Sequence, residues 1–230
     1  SYITGAIGIL PDICNTMQIL LASLLIVLPL GVGAAVYLTE YAQNKKLVAA
    51  IEYAAETLSG IPSIVFGLFG YLMFNISFGW GFSMMAGVIT LAMMILPLII
   101  RTTEEALLAV PDSYREGSFG LGAGKMRTVF RVILPTAVPG IMSGVILSIG
   151  RIVGESAALI FTSGSGHSIP GSLVGSGSSA ATLTVHMYIL SNEGLHVNEA
   201  FASAVVLLAL TFLINLVSDL IERRIAKKKG

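Results

Sequence analysis

A chain of 230 residues that is 55% hydrophobic and 11% charged, with a mean hydropathy of +0.87, is too apolar for an ordinary soluble domain and has the length of one membrane-helix bundle. Thirteen Lys and Arg balance thirteen Asp and Glu, which leaves no overall basic field for nucleic acid. The single Cys14 excludes an internal disulfide and a thiolate metal cluster, and reads as a small hydrophobe.

Five apolar runs follow one another near 17–39, 58–74, 82–100, 136–161 and 200–220, each close to the ~20 residues of a spanning helix. Lys45 and Lys46 follow the first run. Arg101, Arg115, Lys125, Arg127 and Arg131 follow the third, and Arg223, Arg224, Lys227, Lys228 and Lys229 the fifth. Segments 1–16, 75–81 and 162–199 contain no Lys or Arg. The positive-inside rule then predicts an outside N-terminus and a cytoplasmic C-terminus. An outside start at Ser1 without a signal segment predicts at least one further helix upstream.

Between the first two runs, residues 41–57 read as a short helix along the inner face or as an ordinary connector. The cytoplasmic segment 101–135 has two stretches of helical periodicity separated by Pro111, with Asp112 as the expected N-cap of the second and Glu116 in its first turn. Leu107, Leu108, Val110, Tyr114 and Phe119 are apolar anchors, too few for a core but enough for a docking surface. In the outer loop 162–199, the Gly/Ser-rich part from Thr162 to Ala180 is expected to be flexible. The stretch 182–194 is expected to be helical or interfacial, with His186 and Tyr188 as interface anchors. His167, His186 and His196 lack tight ligand spacing and an acidic cluster, so no metal site is expected.

Arg151 stands mid-run in the fourth apolar segment, where an unpartnered Arg costs at least ~2.5–3.5 kcal/mol. At about 100° per residue, Gly140, Gly144, Ser148, Arg151, Glu155, Ala158 and Thr162 share one stripe, and Ile146, Ile149, Val153 and Ile160 lie opposite. The stripe is expected to line a translocation path, with Arg151 attracting an anion and Glu155 limiting how tightly it is held. The competing reading is packing: an Arg151–Glu155 ion pair or a pair shared with a sister subunit, with Gly140/Gly144 and Gly150/Gly154 as small-residue helix contacts. Arg101, at the inner end of the third run, is a weaker path candidate.

Glu116, Gly117, Ser118, Gly122, Val132, Leu134 and Pro135 stand in a spacing that resembles the EAA loop of binding-protein-dependent ABC importer permeases. Small residues replace the two Ala, and Val132 replaces Ile. The resemblance implies a coupling helix that inserts into a groove on an ATPase subunit. Small residues permit close approach, Gly122 a turn, and Pro135 a restart into the next span. Residues 58–70 (LSGIPSIVFGLFG), 99–111 (IIRTTEEALLAVP), 150–164 (GRIVGESAALIFTSG) and 185–194 (VHMYILSNEG) resemble the PstA-type permeases of phosphate-specific ABC importers. Ala158 departs from that pattern, where Pro is expected.

The resemblance implies an all-α membrane protein, a type I ABC importer permease (MetI-like) helical bundle, with five transmembrane helices here and a sixth missing at the N-terminus. It implies a plasma (inner) membrane location in a bacterium or archaeon and inorganic phosphate as cargo. The implied partners are a sister permease of PstC type, two ATPase subunits, an extracytoplasmic phosphate-binding protein and membrane lipid. No cofactor is implied in this chain, ATP and magnesium being held by the ATPases. GLGAGKM at 120–126 lacks the Gly and Ser/Thr of a phosphate loop. The rivals are a permease for another oxyanion (sulfate, molybdate or phosphonate) and an ion-coupled secondary transporter. An intramembrane enzyme is disfavoured, since no Ser/Lys pair, carboxylate pair or zinc-binding His-Glu-x-x-His lies within a run.

Overall fold

Helix is the only regular secondary structure among the described residues of a computed structural model, 9–175, 178–193 and 197–227. Helix α1 (Leu10–Val36) begins seven residues before the expected run. The residues that lower the hydropathy there, Asp12, Asn15 and Thr16, are polar yet buried at 0–2% exposure. Past Val36 the backbone widens into a π-helical turn (Tyr37–Tyr41), closed by the amide of Ala42 on the carbonyl of Tyr37 at 2.8 Å.

Helix α2 (Lys45–Ser59) is capped by Asn44, whose Oδ1 accepts from the amides of Lys46 and Leu47, and it buries none of its residues. At Gly60–Pro62 the helix breaks, and the chain resumes as α3 (Ser63–Gly70), which is prolonged by a second π-helical turn (Tyr71–Ser77). Proline disfavours a helical residue before it and has no amide hydrogen, so the break lies inside the expected run 58–74. The next helix, α4 (Met84–Leu108), passes Pro97 and runs beyond the apolar segment through Arg101.

The segment 101–135, expected as two stretches of helix around Pro111, begins inside α4 and continues as α5 (Asp112–Gly120). Pro111, not Asp112, is the N-cap; Asp112 occupies the first turn and Glu116 lies beyond it. Helix α6 (Lys125–Thr128) passes through a third π-helical turn (Val129–Ile133) into α7 (Leu134–Val153). Pro135 therefore does not restart the chain but stands in the first turn after that wide turn, where the missing amide is tolerated.

The expected single span 136–161 is two helices, α7 and α8 (Ala157–Thr162), separated at Gly154–Ser156. Two more helices follow, α9 (Leu183–Glu193) and α10 (Val197–Lys227). Four helical stretches, Leu10–Tyr41, Met84–Leu108, Lys125–Val153 and Asn198–Ser218, are long and apolar enough to cross a membrane, and the bent pair Lys45–Ser59 with Ser63–Ser77 gives a fifth.

Two compact units divide the chain. Unit one takes Ser1–Ile26, Ile61–Met94 and Ile149–Ile214; unit two takes Val27–Gly60, Ile95–Ser148 and Asn215–Gly230. In unit one, α3 lies backbone to backbone on α8: a Cβ on Gly67 would stand 2.8 Å from Ala158 Cα, and one on Gly70 2.2 Å from Thr90 Oγ1. The core of unit two is Ala35, Val36, Leu107, Val110, Val129, Ile133, Ala137 and Ile141.

The Gly/Ser-rich loop is only partly as expected. Its ends are paired, with Ala180 N on Ser163 O (3.1 Å), Ala181 N on Gly166 O (2.8 Å) and Met84 N on Ser178 O (2.9 Å). Ala180 and Ala181 are fully buried, whereas 171–174 are exposed.

Candidate functional site: a docking loop and a broken helix

The loop matching the EAA spacing is a small built structure within unit two. Arg115 is its hub. It bonds Glu40 at 2.8 Å with both side chains mostly buried (18% and 10% exposed), bonds Asp112 at 3.1 Å, and donates to the carbonyls of Leu107 and Val110. One guanidinium thus satisfies the open end of α4 and orients α5. Ser118 joins α5 to α6 through Thr128 (Oγ to Oγ1, 2.9 Å). Gly122 has φ +79° with open space around it, so it is the backbone conformation of the turn, not crowding, that calls for glycine.

Glu116 and Gly117 are exposed, and Leu134 and Pro135 half-buried. Gly117 and Ser118, with Ser113, Tyr114, Leu121 and Val132, line a shallow groove of about 410 Å³. Of the expected anchors, Leu107 and Val110 belong to the core, while Leu108, Tyr114 and Phe119 are exposed. Two more exposed apolar side chains went unpredicted, Leu121 at 91% and Met126 at 70%.

The break after α7 lies in unit one. Gly154, a poor helix former, precedes Glu155, whose Oε1 accepts from the amide of Ala158 at 3.0 Å and so caps α8. The Val153 carbonyl released by the break accepts from Thr184 Oγ1 at 2.5 Å. A proline at 158 would have no amide to offer Glu155.

Arg151 stands half-buried in the last turn of α7, where a cation is favoured, and no ion pair to Glu155 exists among the described residues. The pair of the packing reading does not form within this chain, because the helix that would set it one turn away ends between the two residues. Of the stripe, Gly140 and Gly144 serve packing: added Cβ atoms would stand 2.7 Å from Ala106 Cβ and 2.2 Å from Thr102 Oγ1. Ser148 is fully buried, its hydroxyl turned back on the Gly144 carbonyl. Gly150 has open space around its Cβ position. Arg101 is exposed and bridges Glu105 at 3.3 Å and Glu56 at 3.7 Å.

The acidic partner that the histidines lack in the sequence is Asp12. Asp12, His167 and His186 converge in unit one, and His186 is buried instead of anchoring an interface, although Tyr188 is exposed as expected. His196 lies outside the described residues. Sequence spacing held no signal for the group, because its members lie 155 and 19 residues apart.

Comparison with known proteins places these features. Residues 27–229 match the family described as the binding-protein-dependent transport system inner membrane component. The chain is 43% identical over 71% of its length to the probable ABC transporter permease protein YqgI of Bacillus subtilis, covering 56% of that protein. It is 36% identical over 94% of its length to the phosphate transport system permease protein PstA 2 of Mycobacterium bovis, covering 73% of it. Another relative, PstA 1 of Mycobacterium tuberculosis, is 34% identical over 84% of this chain, which spans 64% of that protein. Among solved structures, the MetNI methionine ABC transporter superposes with a TM-score of 0.74 at 23% identity, over 95% of this chain and 94% of that one. A bacterial alginate ABC transporter superposes at 0.76 with 17% identity, over 98% and 83%. The fold is thus that of ABC importer membrane subunits, and the chain belongs to the family of binding-protein-dependent transport system inner membrane components.

Proposed function

We propose that this chain is the permease subunit of an ATP-driven ABC importer that moves inorganic phosphate into the cytoplasm. It is not itself an ATPase; ATP is bound by partner subunits docked on α5 and its turn. The observation that supports docking most is the groove at Gly117 and Ser118. A Cβ added at Gly117 or Gly120 would meet nothing within 4 Å, so this chain's own packing does not require those glycines. Glycine in a helix costs about 1 kcal/mol relative to Ala. Smallness there serves a surface that comes from outside, and Tyr114, Leu121 and Met126 around it supply apolar contact.

In this reading the basic segments face the cytoplasm and the loop 162–199 faces outward to an extracytoplasmic binding protein. A sister permease completes the path, and closure of the ATPases on ATP drives alternating access through the loop. Arg151 contributes positive potential for the anion from the end of α7. Glu155 does not moderate it directly, since its carboxylate is engaged in capping α8. Phosphate as cargo rests on the PstA relatives at 34–40% identity.

The test is ATP-dependent uptake of labelled phosphate by proteoliposomes holding the full-length subunit with its sister permease, ATPase and binding protein. Excess sulfate is the competitor. Uptake that requires ATP and is unaffected by sulfate is expected. Uptake of sulfate instead of phosphate would replace the cargo and leave the permease standing, and phosphate uptake without ATPase would remove the ABC reading.

A further inference from the structure

The side chains of Asp12 on α1, His167 in the outer loop and His186 on α9 face one another at short range. His186 Nδ1 lies 2.8 Å from Asp12 Oδ2, His167 Nδ1 lies 3.3 Å from Asp12 Oδ1, and the two Nδ1 atoms are 3.1 Å apart. Asp12 is fully buried, the His186 side chain is 2% exposed, and that of His167 is 35% exposed. A carboxylate accepts only, so each imidazole facing it must carry its proton on Nδ1 to bond it. The contact between the two Nδ1 atoms requires that one of them be bare. All three contacts cannot be hydrogen bonds at once. Asp12 Oδ2 lies 2.8 Å from His186 Nδ1 without a hydrogen bond of acceptable geometry among the described residues.

A cation at the centre satisfies every contact. Donor atoms bound at about 2.05 Å to a tetrahedral ion stand about 3.3 Å apart, close to the spacings seen here. Two imidazole nitrogens and one carboxylate make a borderline donor set that excludes the oxygen-seeking Ca²⁺ and Mg²⁺ and suits Zn²⁺. The surroundings hold the set in place: Asn15 Nδ2 donates to the carbonyls of Ser168 and Ala181, and Thr16 Oγ1 accepts from the amide of Leu183. These bonds tie α1, the loop and α9 together beside each of the three donors. The exposed flank of His167 leaves a route for the ion and a fourth position for water.

We propose that Asp12, His167 and His186 form a binding site for one divalent transition-metal ion, best fitted by Zn²⁺, which clamps the outer loop and α9 to α1. The ion is structural and takes no part in ATP hydrolysis.

The experiment is metal uptake by the full-length permease in its assembled complex. The protein is stripped with chelator, dialysed against Zn²⁺ and counted by elemental analysis, with Co²⁺ absorption as a readout of nitrogen and oxygen coordination. His167→Gln removes the most exposed ligand and leaves the buried pair, so it is the variant that folds most readily; Asp12→Asn is the second. The wild-type complex is expected to hold one ion more per permease subunit than His167→Gln, with affinity in the variant reduced about tenfold or more. Equal zinc content in wild type and a folded His167→Gln, or a wild type that takes up none, would overturn the site. In the latter case protons alone hold the cluster. If His167→Gln fails to fold, loss of the Co²⁺ band in folded Asp12→Asn supports the site, and its persistence overturns it.

Discussion

The two units treat charge in opposite ways. Unit one contains a single Lys or Arg, Arg151, and two of its carboxylates, Asp12 and Glu155, are buried and engaged within the fold. Unit two contains the other twelve basic residues, and a well-buried ion pair, Arg115–Glu40, holds a loop whose outer surface is exposed. The buried carboxylates of the first unit set internal geometry; the buried ion pair of the second orients an exposed surface. A chain with zero net charge thus holds two different electrostatic designs.

Substitutions that break each design separate them. The largest expected effect is in unit two. Arg115→Ala leaves Glu40 buried without its partner, a loss of about 3–5 kcal/mol by chemical denaturation. It also frees α5, so binding of the ATPase should fall with it; Glu40→Gln together with Arg115→Met should recover much of the stability but not the docking. Next is Gly144→Val, where the new Cβ meets Thr102 Oγ1, with a cost of about 1–3 kcal/mol in thermal unfolding. Gly122→Ala places a side chain at φ +79°, and a cost of about 1–2 kcal/mol is expected, read as reduced ATPase stimulation and a small loss of stability. The smallest stability effects are at Gly117. Gly117→Ala should stabilise α5 by about 0.4–1 kcal/mol with transport retained. Gly117→Phe should leave the isolated subunit folded and abolish ATPase docking in a pull-down, and undiminished docking would remove the groove from the account.

Much of unit two was legible in the sequence because its signals are local. Pro111, the Glu116–Gly122 spacing and the clustered basic residues each act within a few positions, and the structure puts a separate helix and a glycine turn there. What failed were features set by distant partners. Hydropathy treats 136–161 as one run because Gly154 and Ser156 barely lower it, yet when the helix breaks Thr184 Oγ1 takes up the freed Val153 carbonyl and Glu155 Oε1 the freed Ala158 amide. Asp12, Asn15 and Thr16 were left outside the first run because their polarity is visible in sequence, whereas their bonds to residues beyond position 160 are not. Arg115 read as one more inside charge, since Glu40 lies 75 residues away. The Arg151–Glu155 pair was the reverse case, a local expectation defeated by the break between them.

The most direct measurement is phosphate uptake by assembled complexes bearing Arg151→Gln, with ATP hydrolysis and subunit composition read on the same preparation. The account predicts a complex that assembles and hydrolyses ATP but no longer moves phosphate. Uptake equal to wild type, or a variant that fails to assemble, would contradict it and make Arg151 a dispensable or a packing residue.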